Sequence, residues 1–179
     1  MRYDEARGTV QDGDILLFAG RHWLSRLIKR FTGRYSHSAI ACWWDDRLMV
    51  LEATWPGQVR AVPASFCVDD YNGPVDLWTC TYAGLDRAKV VSAAKALLGR
   101  KYSFRKVVAA LRRFLAPWRR TSPPADPTDA PKQLQCSEYV SYCLRQGGLD
   151  VAPGLPDAMT DPADFEHNEH MTKVARIHA

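Results

Sequence analysis

The sequence predicts an α+β domain in which an antiparallel sheet packs against a late helix that begins at Cys136. Three observations predict it. Short apolar or alternating segments, each bounded by turn residues, crowd residues 14–82. Two stretches with helical apolar spacing follow, and then a proline-rich break. Directly behind that break, "CSEYVSYCL" opens a helix that stops at Gly147-Gly148. A run of strands followed by helices, rather than strict alternation, is the pattern of this class.

Taken in order, "GDILLFAG" reads as a strand entered by a tight turn. "WLSRLIKRF" sets Leu24, Leu27, Ile28 and Phe31 at helical spacing, so a short amphipathic helix follows. "YSHSAIACWW" and "RLMVLEATW" are strands around the turn residues Asp45 and Asp46. "QVRAVPASF" and "PVDLWTCTY" read as two more, separated at Gly73-Pro74. "DRAKVVSAAKALLG" is a helix with a glycine stop at Gly99. "FRKVVAALRRFLAPW" is a second helix, with Phe104, Val107, Val108, Leu111 and Leu115 on one side until Pro117 ends or kinks it. The loop at 121–133 holds four prolines and is neither helix nor central strand. The tail adds a short helix at most and a final strand.

A chain of 179 residues suits one domain, spanning 1–179, and buries a sizeable core unaided. Hydrophobic residues at 46% and charged residues at 25% are ordinary globular values. The five cysteines are odd in number and lack a C-x-x-C pair, so they read as reduced thiols. No apolar run reaches the roughly 20 residues of a membrane span, and the polar start "MRYDEARGTV" lacks the core of a signal peptide. A cytoplasmic site of synthesis is expected, with later release to the cell envelope left open. A monomer is expected, with no nucleic-acid partner.

The net charge of +4 is unevenly spread: residues 100–120 carry eight basic side chains and no acid, and residues 21–34 carry five more. Such a face suits an anionic surface or substrate, and it equally suits a solvated helix.

A cysteine in the first turn of a helix meets unpaired N–H groups and the positive end of the macrodipole, which favour a thiolate. It is more often a small core residue, so partners decide the matter. Among the five histidines, His178 sits at the chain end, His167 and His170 lie in an acidic polar stretch, and His22 starts an exposed helix face. His37 instead opens an apolar strand. A two-residue turn at Asp45-Asp46 pairs Trp44 with Arg47, which sets His37 opposite Thr54 and diagonal to Glu52. That diagonal is roughly 7–8 Å, within a glutamate's reach. Glu52 stands among apolar neighbours, where an unpaired carboxylate is costly. Cys136, His37 and Glu52 thus take the roles of nucleophile, base and orienting group. The "EHNEH" run mimics metal spacing without a third ligand, and no metal or cofactor is expected.

The order "GDILLF", "YSHSAI", "LEAT", "LLGRKYSF", "CSEYVSYCL", "TDPADF" resembles the circularly permuted branch of the NlpC-type papain-like hydrolases. More narrowly it is similar to the YiiX-like family, with lecithin retinol acyltransferase as a distant relative. The likeness runs from about residue 12 to 175 and implies a permuted papain-like fold, with the histidine strand ahead of the cysteine helix. It also implies Cys136 as nucleophile, His37 as base, Glu52 as orienter and Tyr102 beside the substrate carbonyl. The basic helix and proline-rich loop look expanded relative to that pattern. The resulting expectation is a cysteine hydrolase that cleaves an amide bond, in a cell-wall peptide or a small amino-acid conjugate. Acyl transfer or hydrolysis on a lipid ester is the alternative within the same chemistry. A non-catalytic module binding wall fragments or lipids is the alternative outside it.

Overall fold

The computed structural model describes residues 1–108 and 130–177. The expected stripe residues Leu111 and Leu115, the break at Pro117, Arg112, Arg113, Arg119, Arg120, most of the proline-rich loop and His178 lie outside the described residues.

Six strands build one sheet: β1 (Ile15–Phe18), β2 (His37–Trp44), β3 (Arg47–Ala53), β4 (Val59–Pro63), β5 (Val75–Cys80) and β8 (Met171–Ile177). Their spatial order is β4-β3-β2-β1-β5-β8, and every neighbouring pair is antiparallel. The β2–β3 hairpin has the expected register, with Trp44 opposite Arg47 and Ile40 opposite Leu51. Asp45 takes a positive φ of 54° in its two-residue turn, a conformation that aspartate tolerates better than most residues.

Alternation along the strands separates two apolar faces. Ile15, Leu17, Ile40, Cys42, Leu51 and Ala53 face α4 (Arg87–Ala96) and α5 (Cys136–Gln146), meeting Val90, Ala94, Tyr139, Val140 and Cys143. Leu16, Phe18, Ala39, Ala41, Val50 and Leu77 face the other way, with Ala6 of α1 (Tyr3–Arg7) and Ala64 and Val68 of α3 (Ala64–Asp69). Burial of a large aliphatic side chain in such a layer is worth about 1.5–3 kcal/mol. Two further helices are α2 (Trp23–Thr32) and α6 (Pro162–His167).

Two buried carboxylates pin elements to the sheet. Asp14 accepts from Thr79 Oγ1 at 2.7 Å and Arg87 Nη1 at 2.9 Å, which ties α4 down. Asp76 accepts from Tyr35 Oη at 2.7 Å, Lys173 Nζ at 2.6 Å and Arg176 Nε at 2.8 Å, which fastens the edge strand β8.

One expected strand is shorter than its sequence suggests. In "QVRAVPASF" pairing ends at Pro63, and Ala64–Asp69 is helical. Proline brings no N–H to a ladder and is at ease before the first helical turn, so the strand stops there. The helix α1, in the polar N-terminal stretch, carries no strong periodic signal and was not expected.

The helix pair α4–α5 closes on a glycine. Asp86 N–H donates to Gly147 O at 2.8 Å, and a Cβ on Gly147 would run into Val90 Cγ2 and lie 3.0 Å from Asp86 O. Gly147→Ala therefore destabilises the protein by about 1–3 kcal/mol, read as a lower urea midpoint, because the overlap must be relieved by moving α5.

Candidate active site

Cys136 is the first residue of α5, and Gln135 at the cap donates its backbone N–H to Glu138 Oε2 at 3.2 Å. The Gln135 side chain donates from Nε2 to Ala158 O at 3.0 Å, so the helix start is held from both sides of the chain. Glu138 in turn receives Lys106 Nζ at 2.5 Å.

His37 opens β2 on the face that carries Phe18, whose ring centroid lies 5.2 Å away. Its Nε2 meets Glu52 Oε2 at 2.7 Å, the diagonal contact that the hairpin register requires. The other ring nitrogen is left for the thiol, and His37 lies close enough to Cys136 to act on the charge of its sulfur. The backbone N–H of Ser38 also reaches the Cys136 sulfur, and Ser137 Oγ lies 4.0 Å from it. So α5 packs on one face of the sheet, and its first residue meets the histidine at the strand's end.

Glu52 is 5% exposed and serves two partners. Its Oε1 accepts from Arg60 Nε at 2.9 Å and Nη2 at 2.7 Å, while Oε2 holds His37. Arg60 stands directly across from Glu52 in the β3–β4 ladder. Sequence reasoning missed it. A sequence signal existed, an arginine between Val59 and Ala61 on a strand, but the loop between the two strands does not dictate a register.

Tyr102 arrives by a different route. β6 (Lys101–Tyr102) pairs in parallel with β7 (Gln133–Leu134), so Tyr102 sits beside the segment leading into Cys136. Ser103 N–H donates to Leu134 O at 2.8 Å and Tyr102 N–H to Gly57 O at 3.0 Å, clamping the tyrosine between β7 and the loop before β4. Its hydroxyl lies close enough for the Cys136 charge to act on it. Tyr71, also missed from sequence, is near enough for the Cys136 charge to act on its hydroxyl. All four expected site residues therefore come together. His22 and His167 lie exposed elsewhere, and His170 stacks on Tyr82 with ring centroids 5.0 Å apart.

The electrostatics follow from these contacts. Burial alone pushes the Cys136 thiol up, but the hydrogen bond and charge of His37, then Ser38 N–H, pull it below its ordinary value. Burial works against the charged His37, yet its bonds to Cys136 and Glu52 raise it to about 10. Burial likewise opposes the Glu52 carboxylate, and His37 and Arg60 bring it down to about 2. The Tyr102 hydroxyl is pushed up by burial and by the Cys136 charge, so it stays a donor. Cys42, Cys67, Cys80 and Cys143 are all pushed up by burial, to about 11 and about 12 for the first two. Iodoacetamide mapped by peptide mass should consequently modify Cys136 first below neutral pH. Faster reaction at Cys67 or Cys80 would contradict this electrostatic ordering.

A cleft of about 460 Å³ opens over His37, Glu52, Arg60 and Tyr102. Its walls are largely aromatic and aliphatic, including Ile28, Trp55, Val62, Phe66, Phe104 and Val107. Val107 is buried and Phe104 stacks on Trp55 at 5.3 Å, so the described start of the basic segment packs along the cleft.

No family model matches this sequence, and no curated protein matches it either. Among solved structures, the chain is similar to the crystal structure of the metalloprotein YiiX from Escherichia coli O157:H7. The TM-score is 0.68 at 18% identity, covering 94% of this chain and 98% of that one. The chain therefore has a YiiX-like fold, a mixed α+β architecture around an antiparallel sheet. That neighbour is titled a metalloprotein. Among the described residues here, no group of three or more His, Cys, Asp or Glu stands ready to hold a metal ion. The Glu52 carboxylate beside His37 is already taken up by Arg60, so these residues do not fit a metal. Among the described residues, no helix is long and apolar enough to cross a membrane.

Proposed function

We propose that the chain is a papain-like cysteine hydrolase of permuted order that cleaves an amide bond through an acyl-thioester on Cys136. The observation that carries the reading is a thiol at a helix N-terminus that touches a histidine whose far nitrogen is held by a buried glutamate. Neighbouring thiols are driven towards the neutral form and this one towards the thiolate, which is the nucleophilic form.

In this reading the Cys136 thiolate attacks the carbonyl carbon, and the oxygen takes the negative charge. Cys136 N–H and Tyr102 O–H receive it. The protonated His37 passes its proton to the leaving nitrogen, the C–N bond breaks, and a thioester remains on Cys136. Water then gives a proton to His37 and its oxygen attacks the thioester. The acid leaves and the thiolate–imidazolium pair is restored. Glu52 keeps the ring oriented throughout, and Arg60 keeps Glu52 ionised. The substrate is a cell-wall peptide or a small amino-acid conjugate. A second reading, the ester of a lipid acyl group, is favoured by the apolar walls of the cleft.

Incubation with a panel of wall peptides and lipid esters, followed by mass analysis, should find an acyl group on the Cys136 peptide. His37→Ala should lower the acylation rate by about 10²–10⁴-fold, the range for loss of a positioned base. Unchanged acylation in His37→Ala removes the mechanism. Binding without acylation or turnover of any panel member leaves a non-catalytic binding module.

A further inference from the structure

The mouth of the cleft is unusual in what it shows to water. Trp55 is 55% exposed and Phe66 is 66% exposed, and both line the cleft. Helix α2 forms another wall through Ser25 and Ile28, and on its outer side Trp23 is 77% and Leu27 42% exposed. At 100° per residue Trp23 and Leu27 lie about 40° apart on α2, Arg30 and Arg26 flank Trp23 within about 60° on its other side, and Ile28 and Ser25 lie round towards the cleft. No acid occurs between residues 21 and 35. The described residues following the cleft's far wall add exposed Arg100, Lys101 and Arg105. The cleft itself contains the acids Glu52 and Asp70, and Glu166 lies 4.0 Å from Arg34.

A short helix whose exposed tryptophan and leucine are flanked by cations, with no acid among them, matches the water–lipid boundary. The apolar side chains enter the headgroup region, where tryptophan is favoured, and the cations meet anionic headgroups. A soluble polyanion would use the arginines alone and leave Trp23 and Leu27 in water. We infer that α2, with the aromatic rim of the cleft, docks this protein on an anionic lipid bilayer with the cleft mouth facing the membrane. The inference rests on the surface and its charge complementarity, and it stands whether or not Cys136 performs the chemistry proposed above.

The test is sedimentation of the full chain with phosphatidylcholine vesicles, with and without phosphatidylglycerol. The wild type should pellet with the anionic vesicles and stay in the supernatant with the neutral ones. Arg26→Gln/Lys29→Gln/Arg30→Gln should lower the partition coefficient about 100-fold, from roughly fivefold for each lost cation. Trp23→Ser/Leu27→Ser should weaken binding at least tenfold with every cation in place. Circular dichroism and thermal melting should match the wild type in both variants, since the replaced side chains are largely at the surface. Absence of wild-type pelleting with anionic vesicles overturns the inference. So does binding that the Trp23/Leu27 variant retains in full, or that a short soluble oligonucleotide competes away, because either result marks simple polyanion adsorption. Since none of these readouts involves turnover, their failure and the failure of the hydrolase reading are separable.

Discussion

Cys136→Ala should abolish the proposed turnover, by about 10⁴-fold or more, while the protein still folds. The side chain is small, and only the sulfur is removed from a position 9% exposed at the start of α5. The informative companion is His37. Its affinity for a proton is raised in part by the Cys136 sulfur, through both a hydrogen bond and charge. Removing the sulfur should therefore move the His37 titration down from about 10, measurable by NMR of the imidazole carbons. Lost activity with an unmoved His37 would mean that the two groups are not coupled, and the proposed thiolate–imidazolium pair would have to be abandoned.

Glu52→Ala has the largest expected effect on stability. Breaking a buried ion pair costs about 3–5 kcal/mol, and the low end applies because the Arg60 side chain is half exposed and regains water. Glu52→Gln should retain the fold and part of the activity, because an amide oxygen still accepts one of the two partners. The pH dependence separates these roles. Glu52 is lowered from 4.5 to about 2, so its contribution is complete above about 4.5 and disappears as pH falls towards 2. His37 is raised from 6.5 to about 10, so its contribution is complete below about 6.5 and disappears as pH rises towards 10. Both are present together between those limits. Urea unfolding across pH should show a plateau there, and Glu52→Gln should flatten its acidic shoulder and move the alkaline one to lower pH, because Glu52 also helps raise His37.

The His37–Glu52 pair was legible because a two-residue turn dictates the register of the hairpin it closes. Once Asp45 and Asp46 are read as that turn, alternation places both side chains on one face. Cys136 was legible because the prolines before it and Gly147-Gly148 after it bound a helix on both sides. Arg60 was not, since the residues between β3 and β4 form a longer loop with no preferred pairing, and a lone arginine in a strand has many uses. Tyr102 came only from a likeness of motif. The ladder that places it links residues some thirty positions apart, and two-residue strands leave no periodic trace. The strand that turned into α3 was misread because an apolar run carries no statement of its own length; the proline in it did.

The two-residue ladder between β6 and β7 has a mechanical consequence. His37, Glu52 and Arg60 come from adjacent strands of one sheet and are bonded to one another across it. Tyr102 is laced to the segment that carries Cys136. The sulfur and its histidine thus come from a helix and a strand that pack on each other in one core, and Ser38 N–H and the His37 ring join them. The ladder is also bonded through Tyr102 N–H to Gly57 O, so a displacement of β7 would be felt both at the sulfur and at the loop before β4. Hydrogen exchange at Tyr102 and Ser103 should report how tightly that link holds.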